Sequence, residues 1–198
     1  MNAKIQCVAF DGAKQVASGD LREVALKAQK TGSIAVLIFD ETTSELIDVD
    51  LTGSPRELSR RLEHAVPQAP PPNSEEPSRA PGRPKLGVVA REVTLLPRHW
   101  EWLNLQPGGA SVALRKLVDE ARRANRDTDR MRLAKEAAYR FMSALAGNEE
   151  GFEEAIRGLF AGDAIRFSQH SRTWPQDVRE HATKLAARVF EGSECQHE

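Results

Sequence analysis

The sequence is poor in cysteine and has no long apolar run. Only Cys7 and Cys195 are cysteines among its 198 residues, which is too few for a small secreted domain stapled by disulfides. No apolar stretch approaches the roughly 18 residues that a membrane-spanning helix needs. The N-terminus shows no secretory signal pattern. Together these absences predict a reduced, cytoplasmic protein.

The sequence also lacks the common motifs of nucleotide binding, acyl transfer and zinc-dependent hydrolysis. Asp177 and His181 are four residues apart in a predicted helix, but a zinc site requires three or four ligands. Asp48 and Asp50 share one face of a predicted strand, and nothing else converges on them. We therefore predict a protein that is not an enzyme and that has no metal, cofactor or small-molecule ligand.

Positive charge is concentrated in the middle of the chain. Between Arg79 and Arg126 there are ten basic and four acidic residues, a net charge of +6, in a chain whose overall net charge is -1. Such a segment favours an anionic partner. A solvated helix face would give the same composition, so both interpretations stay open.

Residues 1–65 have the pattern of a small α+β domain. A hairpin is followed by a helix with Asp20 at its N-cap, and the apolar run SIAVLIF is typical of a central strand covered on both faces. The alternating stretch ELIDVDL predicts another strand. The residues Ser-Pro-Arg-Glu at 54–57 then form a capping box that opens a second helix.

The rest of the chain divides by composition. Residues 66–83 contain six prolines and predict an extended linker. Residues 127–192 have helical periodicity with single-turn breaks, which predicts a helical bundle, and 193–198 form a tail. Residues 84–126 lie between the linker and the bundle. Because strands and helices occur in separate segments of the chain, the predicted fold class is α+β.

The segment 84–126 combines one strand with two helices. Val88–Leu96 is the predicted strand, Pro97–Gln106 the first helix, and a turn then leads to Ser111, which is expected to cap the second helix, Ser111–Arg123. The backbone of a single strand needs hydrogen-bond partners. There are three solutions: the segment pairs with the N-terminal sheet, it is irregular rather than a strand, or it pairs with the same strand of a second chain.

This strand-helix-turn-helix pattern resembles the ribbon-helix-helix DNA-binding proteins, which pair such strands between two chains. The resemblance implies a homodimer whose ribbon lies in the major groove. It assigns DNA contacts to Arg83, Lys85, Arg91, Ser111 and Lys116. It assigns the dimer interface to Val89, Val93, Leu95, Leu96, Trp100, Leu103, Leu114 and Leu117.

One departure from the resemblance weakens base reading. In the family's register the outward face of the strand carries Arg91, Val93 and Leu95. Two of these three side chains are apolar and cannot hydrogen-bond a base edge. Either the register slips by one residue, or the segment is a protein-interaction and dimerisation module without base recognition. Binding to DNA mainly through phosphates stays open, because backbone contacts need only charge.

Three long stretches also identify the chain as a member of an uncharacterised bacterial family, domain of unknown function number twenty-two thirty-nine. They are CVAFDG…VASGDL at 7–21, GRPKLGVVAREVTLLPRHWEWL…QPGGASVALRKLVDEARR at 82–123 and GFEEAIRGLFAGD…RF…WPQDVREHATKLA at 151–186. This resemblance implies no activity, cofactor or partner.

Overall fold

The computed structural model describes residues 5–65 and 91–194. Within these ranges the chain forms three strands, β1 (Gln6–Asp11), β2 (Lys14–Asp20) and β3 (Val36–Asp40). It also forms eight helices, α1 (Leu21–Thr31), α2 (Pro55–Ala65), α3 (Pro97–Asn104), α4 (Gly109–Ala124), α5 (Arg126–Leu145), α6 (Phe152–Ala161), α7 (Ala164–His170) and α8 (Gln176–Glu194). The predicted α+β class is confirmed.

The chain divides into two compact units. The first unit joins the described residues up to 65 with those from 127 onward, and the second unit comprises the described residues 91–126. The structure therefore groups the N-terminal segment and the C-terminal helices in one unit, whereas the sequence predicted two domains.

The sheet of the first unit is antiparallel, with strand order β2-β1-β3. The interpretation of SIAVLIF as the central strand is therefore wrong, because β3 pairs with β1 alone among the three strands. The central position belongs to β1, which pairs with Lys14–Asp20 on one side and Val36–Asp40 on the other. Apolar composition predicts burial correctly, but it does not state which strand has two neighbours.

Side chains of β1 alternate between two cores, as the period of a strand requires. Cys7 and Ala9 pack with α1 and α2 residues in one cluster. Val8 and Phe10 pack with residues of α5, α6, α7 and α8 in the other. All four side chains are buried, so both faces of this strand are covered by helices.

The second of these cores explains why distant segments form one unit. Phe10 and Phe39 from the sheet lie edge-on to Phe141 of α5, with ring centroids 5.2 and 5.4 Å away. Trp174 is 3% exposed in the same cluster, and its indole N–H donates to the Glu150 carbonyl at 3.0 Å. The C-terminal helices thus build their core on the sheet.

The stretch ELIDVDL was predicted as a strand, and this prediction is wrong. It makes only a single bridge, between Leu46 and Phe39, and is irregular beyond it. The Arg61 guanidinium donates to the carbonyl oxygens of Asp50 and Thr52. Near the end of the stretch a side chain thus satisfies backbone acceptors that a neighbouring strand would otherwise pair.

The predicted helix ends are confirmed where a local side chain fixes them. The Asp20 carboxylate accepts from the Glu23 N–H at 3.0 Å, and Gly32 closes the same helix with a φ of 69°. At the start of α2 the Ser54 N–H donates to the Glu57 carboxylate at 2.7 Å, and the Glu57 N–H donates to the Ser54 hydroxyl at 3.3 Å. This is the reciprocal capping box.

Helices α6 and α7 approach each other closely at Gly158. A Cβ atom added there would lie 2.7 Å from the Phe167 nitrogen and 3.2 Å from the Asp163 carbonyl oxygen. Both are backbone atoms, so they cannot rotate away. The absence of a side chain at this position therefore permits the contact between the two helices.

Gly158→Ala is expected to destabilise the first unit. Alanine has the better helix propensity by up to about 1 kcal/mol, but overpacking against backbone costs about 1–3 kcal/mol. The net effect is therefore a lower free energy of unfolding, measured by urea denaturation. Ser168→Ala, at an exposed α7 position, is the control and should change the unfolding free energy little. A variant as stable as the wild type would contradict the packing described for Gly158.

His181 of α8 is buried inside the aromatic core. Its ring lies 4.5 Å from the Phe141 centroid and 5.7 Å from the Phe10 centroid, and its Nε2 has no hydrogen-bond partner among the described residues. Burial, helped by the nearby cations Lys184 and Arg188, lowers the pKa of His181 from 6.5 to about 4, against the opposing charge of Glu41. His181 is therefore a neutral core residue at pH 7.

Folding stability should consequently fall as the pH drops below 6.5, the unfolded-state pKa of His181. The unfolded chain then binds a proton that the folded chain accepts only near pH 4. Between pH 6.5 and about pH 5 the decrease attributable to this group is about 2 kcal/mol. His181→Leu, which cannot titrate, should abolish that part of the pH dependence in urea denaturation, whereas His99→Leu at an exposed site should preserve it. Equal pH dependence of His181→Leu and wild type would contradict this account.

Candidate functional site

The second unit is a hairpin of two helices, α3 and α4. The Leu103 carbonyl accepts the Gln106 N–H at 3.2 Å, and the Gln106 carbonyl accepts the Gly109 N–H at 2.9 Å. These two bonds close the turn between the helices. Gly108 and Gly109 have φ angles of 87° and 75°, a region that side chains disfavour. The predicted helix-turn-helix order is thus present.

The prediction that Ser111 caps the second helix is wrong. Helix α4 begins at Gly109, with Gly108 at the N-cap, and no side chain caps it. Ser111 lies within the first turn, where its hydroxyl accepts from the Arg115 guanidinium at 3.3 Å. The two left-handed glycines let the chain turn directly into the helix, so the start moves two residues upstream of the serine.

The residues before α3 form no strand with the rest of the described chain. Residues 91–96 have no regular secondary structure, and no backbone–backbone hydrogen bond joins residues 91–95 to another described residue. Val88–Ala90, the start of the predicted strand, lie outside the described residues. Pairing with the N-terminal sheet is therefore not observed for 91–96, and pairing with a second chain stays a prediction.

The hairpin has almost no interior of its own. Leu103 and Ala113 are its only buried apolar residues within 91–126. Six large apolar side chains of this unit, which we call the exposed apolar set, are at least two-fifths exposed: Val93, Leu96, Trp102, Leu105, Leu117 and Val118. Leu105 reaches 82% exposure. Scattered exposed apolar residues are ordinary, but so many on one short hairpin are typical of an interaction surface.

Helical spacing places part of this set on one side of α4. Ala113 and Leu117 are four residues apart, and Leu114 and Val118 repeat that spacing. Residues at this spacing lie on the same helix face. Exposure rises across the stripe, from 7% at Ala113 to 54% at Val118. The hairpin therefore covers one margin of the apolar stripe and leaves the other exposed.

The unit is also basic. Residues 91–126 contain seven basic and four acidic side chains, a net charge of +3. Arg91 and Lys116, two of the predicted DNA contacts, are exposed, and neither forms an ion pair with a described residue. The surface thus offers both apolar area and positive charge.

The predicted site residues separate into four groups: those outside the described residues, one that is buried, those that are half-buried and those that are exposed. Arg83, Lys85 and Val89 lie outside the described residues. Leu103 is 3% exposed and is already covered within a single chain, whereas Leu95, Trp100 and Leu114 are half-buried. Exposed positions are Arg91, Val93, Leu96, Ser111, Lys116 and Leu117. Trp102, Leu105 and Val118 were not among the residues that the sequence assigned to the interface, although Leu105, at the C-cap of α3, follows Trp102 by three residues.

The described ranges 5–65 and 91–194 hold no metal-binding cluster. No set of three His, Cys, Asp or Glu side chains there is arranged to hold a metal ion. Asp177, four residues before His181, accepts the Gln15 N–H of β2 at 2.8 Å and so joins α8 to the sheet. No helix in these ranges has the length and apolarity needed to cross a membrane.

Most of the chain matches a known sequence family. The model of a family described as an uncharacterised protein conserved in bacteria, DUF2239, matches residues 6–186. This span includes described residues of both units. No curated protein and no solved structure matches the chain.

Proposed function

Because the chain belongs to DUF2239, a family of uncharacterised proteins conserved in bacteria, we propose its function from the second unit. That unit makes the protein a homodimer, and the dimer binds DNA mainly through phosphates as a non-enzymatic regulator. The observation that carries the proposal is the exposed apolar set on a hairpin with two buried apolar residues. The net charge of +3 supports the choice of an anionic partner.

The small interior of the hairpin argues for a second copy. Within its described residues 91–126 only Leu103 and Ala113 are buried apolar side chains. Association with another chain is one of the usual ways to bury more apolar surface. Another copy of the same chain is always present at the same concentration, and twofold homodimers are the commonest oligomers.

The backbone of 91–95 supports the same partner. Its N–H and C=O groups form no backbone hydrogen bonds with described residues, and a strand from another chain would supply partners for them. An antiparallel pair of two such segments is the ribbon of the ribbon-helix-helix proteins that the sequence resembles. Leu96, which is not on the outward face in the family's register, would then leave solvent in the dimer.

We expect the wild type to sediment at twice its chain mass of 21.9 kDa. Leu117→Glu with Val118→Glu should shift it to the monomer, because two carboxylates cannot be buried in an apolar interface without partners. The measurement is sedimentation equilibrium at micromolar concentration. The matched control is Leu133→Glu with Ile165→Glu, which changes two exposed apolar residues of the first unit and should leave the dimer intact. A monomeric wild type would sink the proposal.

Binding to duplex DNA should weaken steeply with salt, since each phosphate contact releases counterions. Arg91→Gln with Lys116→Gln should reduce the slope of log affinity against log salt by about 0.9 for each phosphate that is no longer neutralised. Fluorescence anisotropy with a labelled duplex of mixed sequence measures this slope. Lys30→Gln with Arg172→Gln, both exposed in the first unit, removes the same charge and should have little effect.

The alternative function is a protein-interaction module that dimerises but does not bind DNA. It is favoured by Val93 and Leu95, the two apolar side chains predicted on the outward face of the ribbon. A stable wild-type dimer that leaves the labelled duplex free at low salt would establish this alternative. Dimerisation and DNA binding are thus decided by separate measurements.

A further inference from the structure

A cluster of arginines surrounds a shallow hollow at the C-terminal end of α4. Arg122, Arg123 and Arg126 line it together with Asp119, and all four side chains are exposed. We call this the arginine hollow. It lies entirely within the second unit, and it contains none of the residues to which the sequence assigned DNA contacts.

The guanidinium groups of the hollow are largely unused inside the chain. Arg122 and Arg126 form no hydrogen bond or ion pair with any described residue, and Arg123 uses its Nε alone, donating to the Asp119 carbonyl at 3.1 Å. By contrast Arg115, on the same helix as Arg122, turns back along it, where its Nε donates to the Ser111 carbonyl at 3.0 Å. The terminal nitrogens of the three hollow arginines therefore remain available as donors.

The end of the helix does not require these arginines either. Basic side chains near a helix C-terminus often donate to the last carbonyl groups. Here Asn125 takes that position, since both its backbone N–H and its side-chain amide donate to the Ala121 carbonyl at 2.9 Å. The arginine cluster is thus not explained by helix capping.

We propose that the arginine hollow binds the phosphodiester backbone of DNA. Three guanidinium groups and one carboxylate give it a net charge of +2, and guanidinium forms forked hydrogen bonds with phosphate. The site is open and has no buried polar donor, so it suits successive phosphates of a polymer better than one enclosed anion. Arg122 near the end of α4 and Arg126 at the start of α5 then contact neighbouring phosphates.

This inference rests on the proposed dimer and deepens it. Val118 and Arg122 are four residues apart, so the hollow borders the exposed margin of the apolar stripe on α4. Burying the stripe against a second copy leaves the arginines at the rim of the interface. The dimer would therefore present two arginine hollows, and it would join two copies of the segment 91–126, each with a net charge of +3. A polyanion relieves the resulting repulsion.

The test compares three full-length double variants with the wild type by anisotropy of a labelled mixed-sequence duplex over a range of NaCl concentrations. They are Arg122→Gln with Arg126→Gln, Arg91→Gln with Lys116→Gln, and the control Lys30→Gln with Arg172→Gln. The Arg122→Gln with Arg126→Gln variant should bind the duplex more weakly, on the order of 10- to 100-fold, at physiological salt. Its slope of log affinity against log salt should be smaller by about 3 to 4 for the dimer. The control should bind as the wild type does. Circular dichroism and sedimentation establish that each variant is folded and dimeric.

Three results would overturn the inference, and they are separable from failure of the proposed function. Wild type that does not bind the duplex at low salt refutes DNA binding itself. Wild-type affinity in the Arg122/Arg126 variant, with weakened binding in the Arg91/Lys116 variant, refutes the hollow and retains DNA binding. Inorganic phosphate is compared with unlabelled duplex as a competitor of the labelled duplex. If both displace it equally well at equal phosphate concentration, the hollow binds small anions instead.

Discussion

The fold of the first unit depends on burying one strand on both faces. Cys7 and Ala9 face the core made with α1 and α2, while Val8 and Phe10 face the core made with the C-terminal helices. No single helical segment can cover both faces of a sheet, so two parts of the chain separated by more than sixty residues must come together. The edge-on contacts of Phe10 and Phe39 with Phe141 fix that meeting point.

Sequence predicted this fold well wherever the determining interaction is local. The cap at Asp20 and the capping box at 54–57 act over three residues, and both helix starts were predicted correctly. The central strand and the irregular stretch after β3 were mispredicted because their determinants are distant in sequence. Arg61 satisfies the Asp50 carbonyl from eleven residues away, and no alternation of apolar residues reports such a bond. The shared core of the first and last segments is equally invisible to local patterns.

The helices of the second unit were predicted in outline because their determinants are local in sequence. Helical periodicity and the Pro-Gly-Gly break define α3, the turn and α4. The arginine hollow was missed because counting charges does not show which ones are already used within the helix. Arg115 and Arg122 count equally in the net charge. In the structure Arg115 is hydrogen-bonded to Ser111, whereas Arg122 forms no hydrogen bond with a described residue. The structure shows which arginine donors are already used within the helix, which the sequence alone does not.

The two units also differ in how they meet the cost of ordering a chain. All but two of the buried apolar residues in the described ranges belong to the first unit, which therefore supplies its own core. In the described residues 91–126 of the second unit, Leu103 and Ala113 are the only buried apolar side chains, and two such residues offset little of the conformational entropy lost on ordering that hairpin. In the proposed dimer, association provides the missing burial but places like charges together. Under this proposal bound phosphates reduce that repulsion, so DNA binding and dimerisation should stabilise each other by linkage. Added salt should weaken DNA binding because it opposes counterion release, and it should favour the dimer because it screens the like charges. The proposal therefore predicts opposite dependences of DNA binding and dimerisation on ionic strength.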